Sequence, residues 1–166
     1  MKNLNLIAAL LLFSTFFSCS RKAEEAAEYN DTIIEHQKKI IASFDRFDSS
    51  FVDTLRSREM VEFAYVSMQS TIKQSILAMD SIGPFQNDPS MQNAARELFK
   101  TYDAIVETEY EKLRDIRLLP ADQVTPAVID TSLAVQIRIH DASKLSQSEF
   151  LRAQEDFGKK YNLIFE

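Results

Sequence analysis

The chain has 166 residues but only one cysteine, two glycines and four prolines, and it has no tryptophan. Each scarcity removes a class of structure. A lone cysteine cannot form an intrachain disulfide or a multi-thiolate zinc site. Two glycines, Gly83 and Gly158, leave no Gly-rich phosphate loop, no Gly-x-Ser-x-Gly elbow and no Ca²⁺ loop with its central glycine. A sheet protein of this length would need more turn residues than two glycines and four prolines supply. Abundant instead are Ala, Glu, Lys, Gln and Leu, which favour helices.

The single cysteine, Cys19, closes the opening stretch MKNLNLIAALLLFSTFFSCSRK. Lys2, an apolar core from about Leu6 to Phe17 and small residues at the cysteine follow the order of an export signal. The core is shorter than the ~20 residues of a membrane-spanning helix, and Asn3, Asn5, Ser14 and Thr15 interrupt it. Phe16-Phe17-Ser18-Cys19 resembles a bacterial lipobox, with Phe16 where that pattern usually has Leu. The resemblance implies a cleaved lipoprotein signal peptide over 1–18, a lipid on Cys19, a polar tether over 19–28 and a folded domain over 29–166. Each acyl methylene adds about 0.8 kcal/mol of membrane affinity. Removing the first 18 residues leaves 148 of the 166 and takes Lys2 with it, moving the formal charge from −6 to −7. So acidic a surface repels phosphate backbones and anionic headgroups. The expected membrane contact is therefore the lipid on Cys19, and nucleic acid is not an expected partner.

Residues 20–28 carry Arg21, Lys22, Glu24, Glu25 and Glu28 with no large apolar side chain, as a tether or a frayed helix start would. Lys22-Ala23-Glu24-Glu25 resembles the charged export tags of surface lipoproteins, although a solvated spacer would look the same. From Tyr29 to about Leu55, Ile33, Gln37, Ile40, Phe44, Phe47, Phe51 and Leu55 mark one buried stripe, which Ile41 and Val52 widen. A second helix starts near Ser57, an available N-cap, and runs on Val61, Ala64, Met68, Ile72, Ile76 and Met79 to Ile82-Gly83-Pro84. A third follows Asp88 as N-cap and Pro89 at the first helical position. It carries Ala95, Leu98, Tyr102, Ile105, then Glu109 or Tyr110, Leu113 and Ile116. Pro120 and Pro126 mark a loop over Leu118–Thr131, longer than most bundle connections. The last helix is expected from Asp130 or Thr131 to about Asn162, with Leu133, Ile137, Leu145, Phe150, Phe157, Tyr161 and Ile164 as its apolar landmarks. Gly158 inside it implies close packing.

Four amphipathic helices of roughly 23 to 32 residues, about 35 to 48 Å long, fit an all-α, antiparallel up-down-up-down four-helix bundle. Cys19 would anchor the pole that holds the Gly83–Asp88 turn, with the Ser57 junction and the Leu118–Thr131 loop at the far pole.

Tyr29, Asp31, Ile34, Gln37 and Ile40, together with Gln154, Phe157, Tyr161 and Asn162, resemble the terminal signatures of a family of bacterial surface or outer-membrane lipoproteins with helical domains. The resemblance implies location and bundle architecture. It carries no catalytic residue over.

The chemistry-bearing residues are sparse. Three residues before His36 and His140 stand Ile33 and Ile137, so the Glu-x-x-His pairs of a di-iron bundle are missing. Glu35, His36, His140 and Asp141 form a polar constellation, but the expected topology holds the two histidines tens of ångströms apart, as surface or capping residues. Met60, Met68, Met79 and Met91 stand at core spacings. No catalytic residue, metal site or cofactor is expected. The leading expectation is a non-catalytic, lipid-tethered interaction or structural module that meets an envelope or extracellular protein through Leu118, Leu119, Val124 and Val128, with Ile129 beside them. The same residues could instead fold back and cap the bundle. The alternative is a carrier or sensor holding a small ligand between helices around Phe44, Phe47, Phe51 and Tyr102.

Overall fold

The computed structural model describes the backbone of residues 3–50 and 57–163, and the side chains of residues 21–50 and 57–163. The side chains of Cys19, Phe51, Val52, Leu55 and Ile164 lie outside the described residues. The chain is all-α: α1 (Asn3–Ser49), α2 (Arg58–Ile82), α3 (Ser90–Ile105), a π turn (Val106–Tyr110), α4 (Glu111–Arg117), a 3₁₀ turn (Ala121–Gln123) and α5 (Pro126–Tyr161).

Residues 20–28, expected as a tether or a frayed helix start, lie inside α1, which runs from Asn3. Arg21–Glu28 belongs to α1, Arg21 pairs with Glu25, and Ala26 is fully buried. Ala26, Ile33, Ile40 and Phe47 follow at steps of seven and are all buried completely, with Asn30, Gln37 and Phe44 between them at steps of four. This is the heptad spacing of a helix with one packed seam. Ile41 is exposed and does not widen the core stripe as expected, because it projects past the seam toward α5.

Ser57 caps α2, its hydroxyl accepting the Met60 N–H at 3.2 Å. Gly83 ends α2 at φ +70°, a backbone angle that costs an L-residue strain. Gln86 and Asn87 also have positive φ, and the Asp88 N–H closes the turn on the Phe85 carbonyl at 2.9 Å. Asp88 then accepts the Ser90 N–H at 3.0 Å, but the N-cap of α3 is Pro89 rather than Asp88, and its first helical residue is Ser90 rather than Pro89.

The choice between Glu109 and Tyr110 resolves into a π turn. One extra residue between Ile105 and Leu113 brings Val106 and Tyr110 into the core and leaves Glu109 at the edge. The Val106 carbonyl receives the Glu111 N–H five residues on and, from α2, the Tyr65 hydroxyl at 3.2 Å.

Two expectations for α5 are corrected. The helix begins at Pro126 rather than Asp130 or Thr131, because Thr125 is the N-cap, accepting the Val128 N–H, and Pro126 occupies the first turn where its missing N–H costs nothing. Its packed face is also different. Leu133, Ile137 and Leu145 are 53%, 62% and 69% exposed, whereas Val135, Ser143, Phe150, Phe157 and Gly158 are buried. The packed stripe is disguised by serines. Ser143 returns its hydroxyl to the His140 carbonyl at 3.0 Å, and the Ser146 hydroxyl bonds the Thr101 hydroxyl on α3 at 3.1 Å. Small satisfied hydroxyls pack there without a desolvation penalty.

Cross-helix contacts pair late residues of one element with residues near the start of its neighbour. Between α2 and α3, Gln92 donates to the Met79 carbonyl at 2.6 Å and Arg96 pairs with Asp80 at 2.7 Å. Between α3 and α5, contacts step from Asp88–Lys160 through Thr101–Ser146 to Glu109–Arg138, where α3 has passed into the π turn. Tyr29 on α1 donates to the Gly83 carbonyl at 2.8 Å, and Phe47, eighteen residues on, packs its ring near Tyr65 early in α2.

Two aromatic clusters close the ends of the core. Tyr29, Phe85, Phe157 and Tyr161 tie α1, the α2–α3 turn and the end of α5 together, with ring centroids 4.7 to 5.6 Å apart. Phe44, Phe47, Tyr65, Tyr102 and Tyr110 form the second. The terminal residues Tyr29, Phe157 and Tyr161, far apart in sequence, thus share one pole, and Asn162 ends α5 there in the left-handed conformation.

Candidate functional site

Two apolar clefts follow the flank of α5. The first, about 460 Å³, lies where the α4–α5 connection meets α5. The 3₁₀ turn Ala121–Gln123 and the Thr125 cap fold this connection back so that Leu119, Val124 and Val128 come together with Ile129 and Leu133. Val124 and Ile129 are 45% and 52% exposed, while Leu119 and Val128 are half-buried. Leu118 is separate: it packs against the core and is not part of the cleft lining. Capping and exposure therefore coexist, Leu118 closing the core and Val124 facing outward.

Ile129, expected beside the loop, joins this surface, and Leu133 and Gln136 extend it beyond the residues expected from sequence. A signal for them existed. Ile129, Leu133 and Ile137 are spaced four apart, a second apolar stripe that a one-face reading of α5 assigns to the core.

Gln136 also lines the second cleft, about 430 Å³, between α1, α3 and α5. Phe44 and Tyr102, expected near a ligand, both line it. Phe47 does not, being fully buried behind them. The Phe44 and Tyr110 rings stack at 5.1 Å, and Gln147 donates its amide to the Tyr102 hydroxyl at 3.2 Å. Burial raises the pKa of the Tyr102 hydroxyl. It raises that of Tyr110 further, with Asp48 and Asp45 adding to the shift.

The two histidines lie in different surroundings. His36 turns toward α2, its Nδ1 3.2 Å from the Ser75 hydroxyl, and burial followed by the charge of Lys39 lowers its pKa. His140 lines the second cleft together with Phe44, which stands eight residues, about 12 Å along α1, beyond His36. Among the described residues no group of three or more His, Cys, Asp or Glu side chains could hold a metal ion. No helix among them is long and apolar enough to cross a membrane.

Comparison with protein-family models, curated proteins and solved structures finds no match to this chain.

Proposed function

We propose that this chain is a lipid-anchored bacterial cell-envelope protein, a non-catalytic interaction module at the outer membrane, on its periplasmic face or at the cell surface. In this reading residues 1–18 are a cleaved signal peptide, Cys19 carries the lipid, and the helices form an up-down-up-down four-helix bundle. The order of Lys2, an apolar core and Ser18-Cys19 supports the anchor. The antiparallel contacts between sequence neighbours support the topology.

The observation that carries the interaction role is the exposed apolar surface around Val124, Ile129 and Leu133. An acidic chain with a well-packed core leaves these side chains in water, and contiguous exposed apolar residues mark contact surfaces. Their location fits the anchor. Tyr29, ten residues beyond Cys19, sits with the ends of α2 and α5, so a lipid on Cys19 holds that pole against the membrane and leaves the Val124 end free.

The test pairs two variants. Cys19→Ser shifts the protein from the detergent phase to the aqueous phase in phase partitioning. Leu119→Ser with Val124→Ser abolishes capture of its envelope partner while the thermal melt stays in place. A lowered melting temperature with unchanged capture overturns the docking role.

A further inference from the structure

We propose that the cleft between α1, α3 and α5 binds an uncharged amphipathic small molecule, one with an aromatic or aliphatic body and a neutral hydrogen-bonding group such as a carbonyl or hydroxyl. The proposal is independent of docking at the Val124 surface.

The lining is the first argument. Charged residues make up 27% of the chain, yet no Asp, Glu, Lys or Arg lines this cleft, and His140 is its one basic side chain. A charged ligand would leave water without a compensating partner, which disfavours it. Burial holds the Tyr102 and Tyr110 hydroxyls in their neutral form, so neither supplies an anion.

Shape is the second. Phe44 stacks on Tyr110 and meets the edge of Tyr102 at 5.4 Å, giving a rigid aromatic wall. Ile41 and Leu151, both exposed, form the lips. At about 430 Å³ the space suits a small molecule rather than a folded partner.

Unused hydrogen-bonding capacity is the third. The Gln37 and Gln136 amides and the Tyr110 hydroxyl line the cleft and make no hydrogen bond with any of the described residues. Convergent neutral donors and acceptors beside an apolar wall orient a ligand that carries one or two polar atoms.

The experiment uses photolabelling of the full-length lipidated protein in its membranes with benzophenone, an uncharged aromatic ketone, and with 4-benzoylbenzoate, which adds a carboxylate to the same body. Peptide mapping is expected to find saturable benzophenone adducts around Ile41–Phe44 and Ile139–Leu151. The anion is expected to label them at least about tenfold less. Ile41→Arg and, from the other lip, Leu151→Glu each cut benzophenone labelling by a similar factor without moving the thermal melt, whereas Val124→Ser leaves it unchanged. Equal labelling by both probes overturns the proposal. So do adducts spread over the exposed Phe63 and Leu77 of α2, or labelling indifferent to both lip variants.

Discussion

Gln154 on α5 donates its side-chain amide to Asn30 Oδ1 on α1 at 2.9 Å, joining residues 124 positions apart. Asn30 is buried and spends its own amide on Asp31 at 3.1 Å. This polar bridge lies beside the Tyr29–Phe157 ring pair and fixes the register of the first and last helices.

Removing one partner strands the other. Asn30→Ala should cost about 1 to 3 kcal/mol, because the Gln154 amide loses its buried acceptor. Replacing both residues with Leu should recover much of that loss. A urea-denaturation double-mutant cycle should give a coupling above about 0.5 kcal/mol, and additive single effects would show that the bridge holds nothing.

Asp88 makes stability depend on acid. The Lys160 ammonium, followed by the Ser90 hydroxyl and N–H, lowers its carboxyl from 3.8 to about 2. A folded-state pKa below the unfolded one contributes stability that is complete above about pH 4 and is lost as pH falls through about 2. The pair faces solvent, so the contribution is about 1 kcal/mol at most after screening. Asp88→Asn should flatten the melting-temperature profile between pH 4 and pH 2, whereas a profile as steep as that of the wild type would remove Asp88 from the acid response.

The α5 packing predicts opposite outcomes for two apolar residues one and a half turns apart. Phe150→Ala should cost about 3 to 5 kcal/mol. Leu145→Ala should stay within about 0.5 kcal/mol, since its side chain is exposed. Chemical denaturation checks both, and equal losses would mean that α5 packs on its Leu145 face.

Helix existence and the cap at Ser57 were legible because each rests on a local rule: an apolar stripe, with a hydroxyl beside its start. Periodicity alone also exposed the ambiguity at Glu109 and Tyr110, which is the trace of an inserted residue in the π turn. The face of α5 was not legible. Ser143 and Ser146 occupy its packed stripe while Leu133 and Ile137 occupy the other, so counting apolar residues selects the wrong side. Only the hydroxyl partners on α3 and within α5 explain why serine is tolerated there. Pro126 misled for a related reason, since the same ring that breaks a helix interior also opens a helix.

The candidate surface was partly legible. Leu119, Val124 and Val128 lie in one cleft, but Leu118 does not, because the chain turns between adjacent leucines at the end of α4. Leu133 joins Ile129 on the surface because α5 begins at Pro126, five residues before Thr131, which converts part of the expected loop into a helical apolar face.

The most direct test of a lipid-anchored module that docks through its free end is thiol crosslinking in intact cells. In the proposed lipidated form Cys19 is blocked, which leaves the thiol of Val124→Cys as the one available to a bifunctional maleimide, and Asn93→Cys on the exposed side of α3 serves as control. A discrete higher-mass adduct from position 124, absent from position 93 and lost when Cys19→Ser removes the anchor, is the expected result. Crosslinking from Cys19 itself in the wild type, or equal adducts from positions 124 and 93, would contradict it.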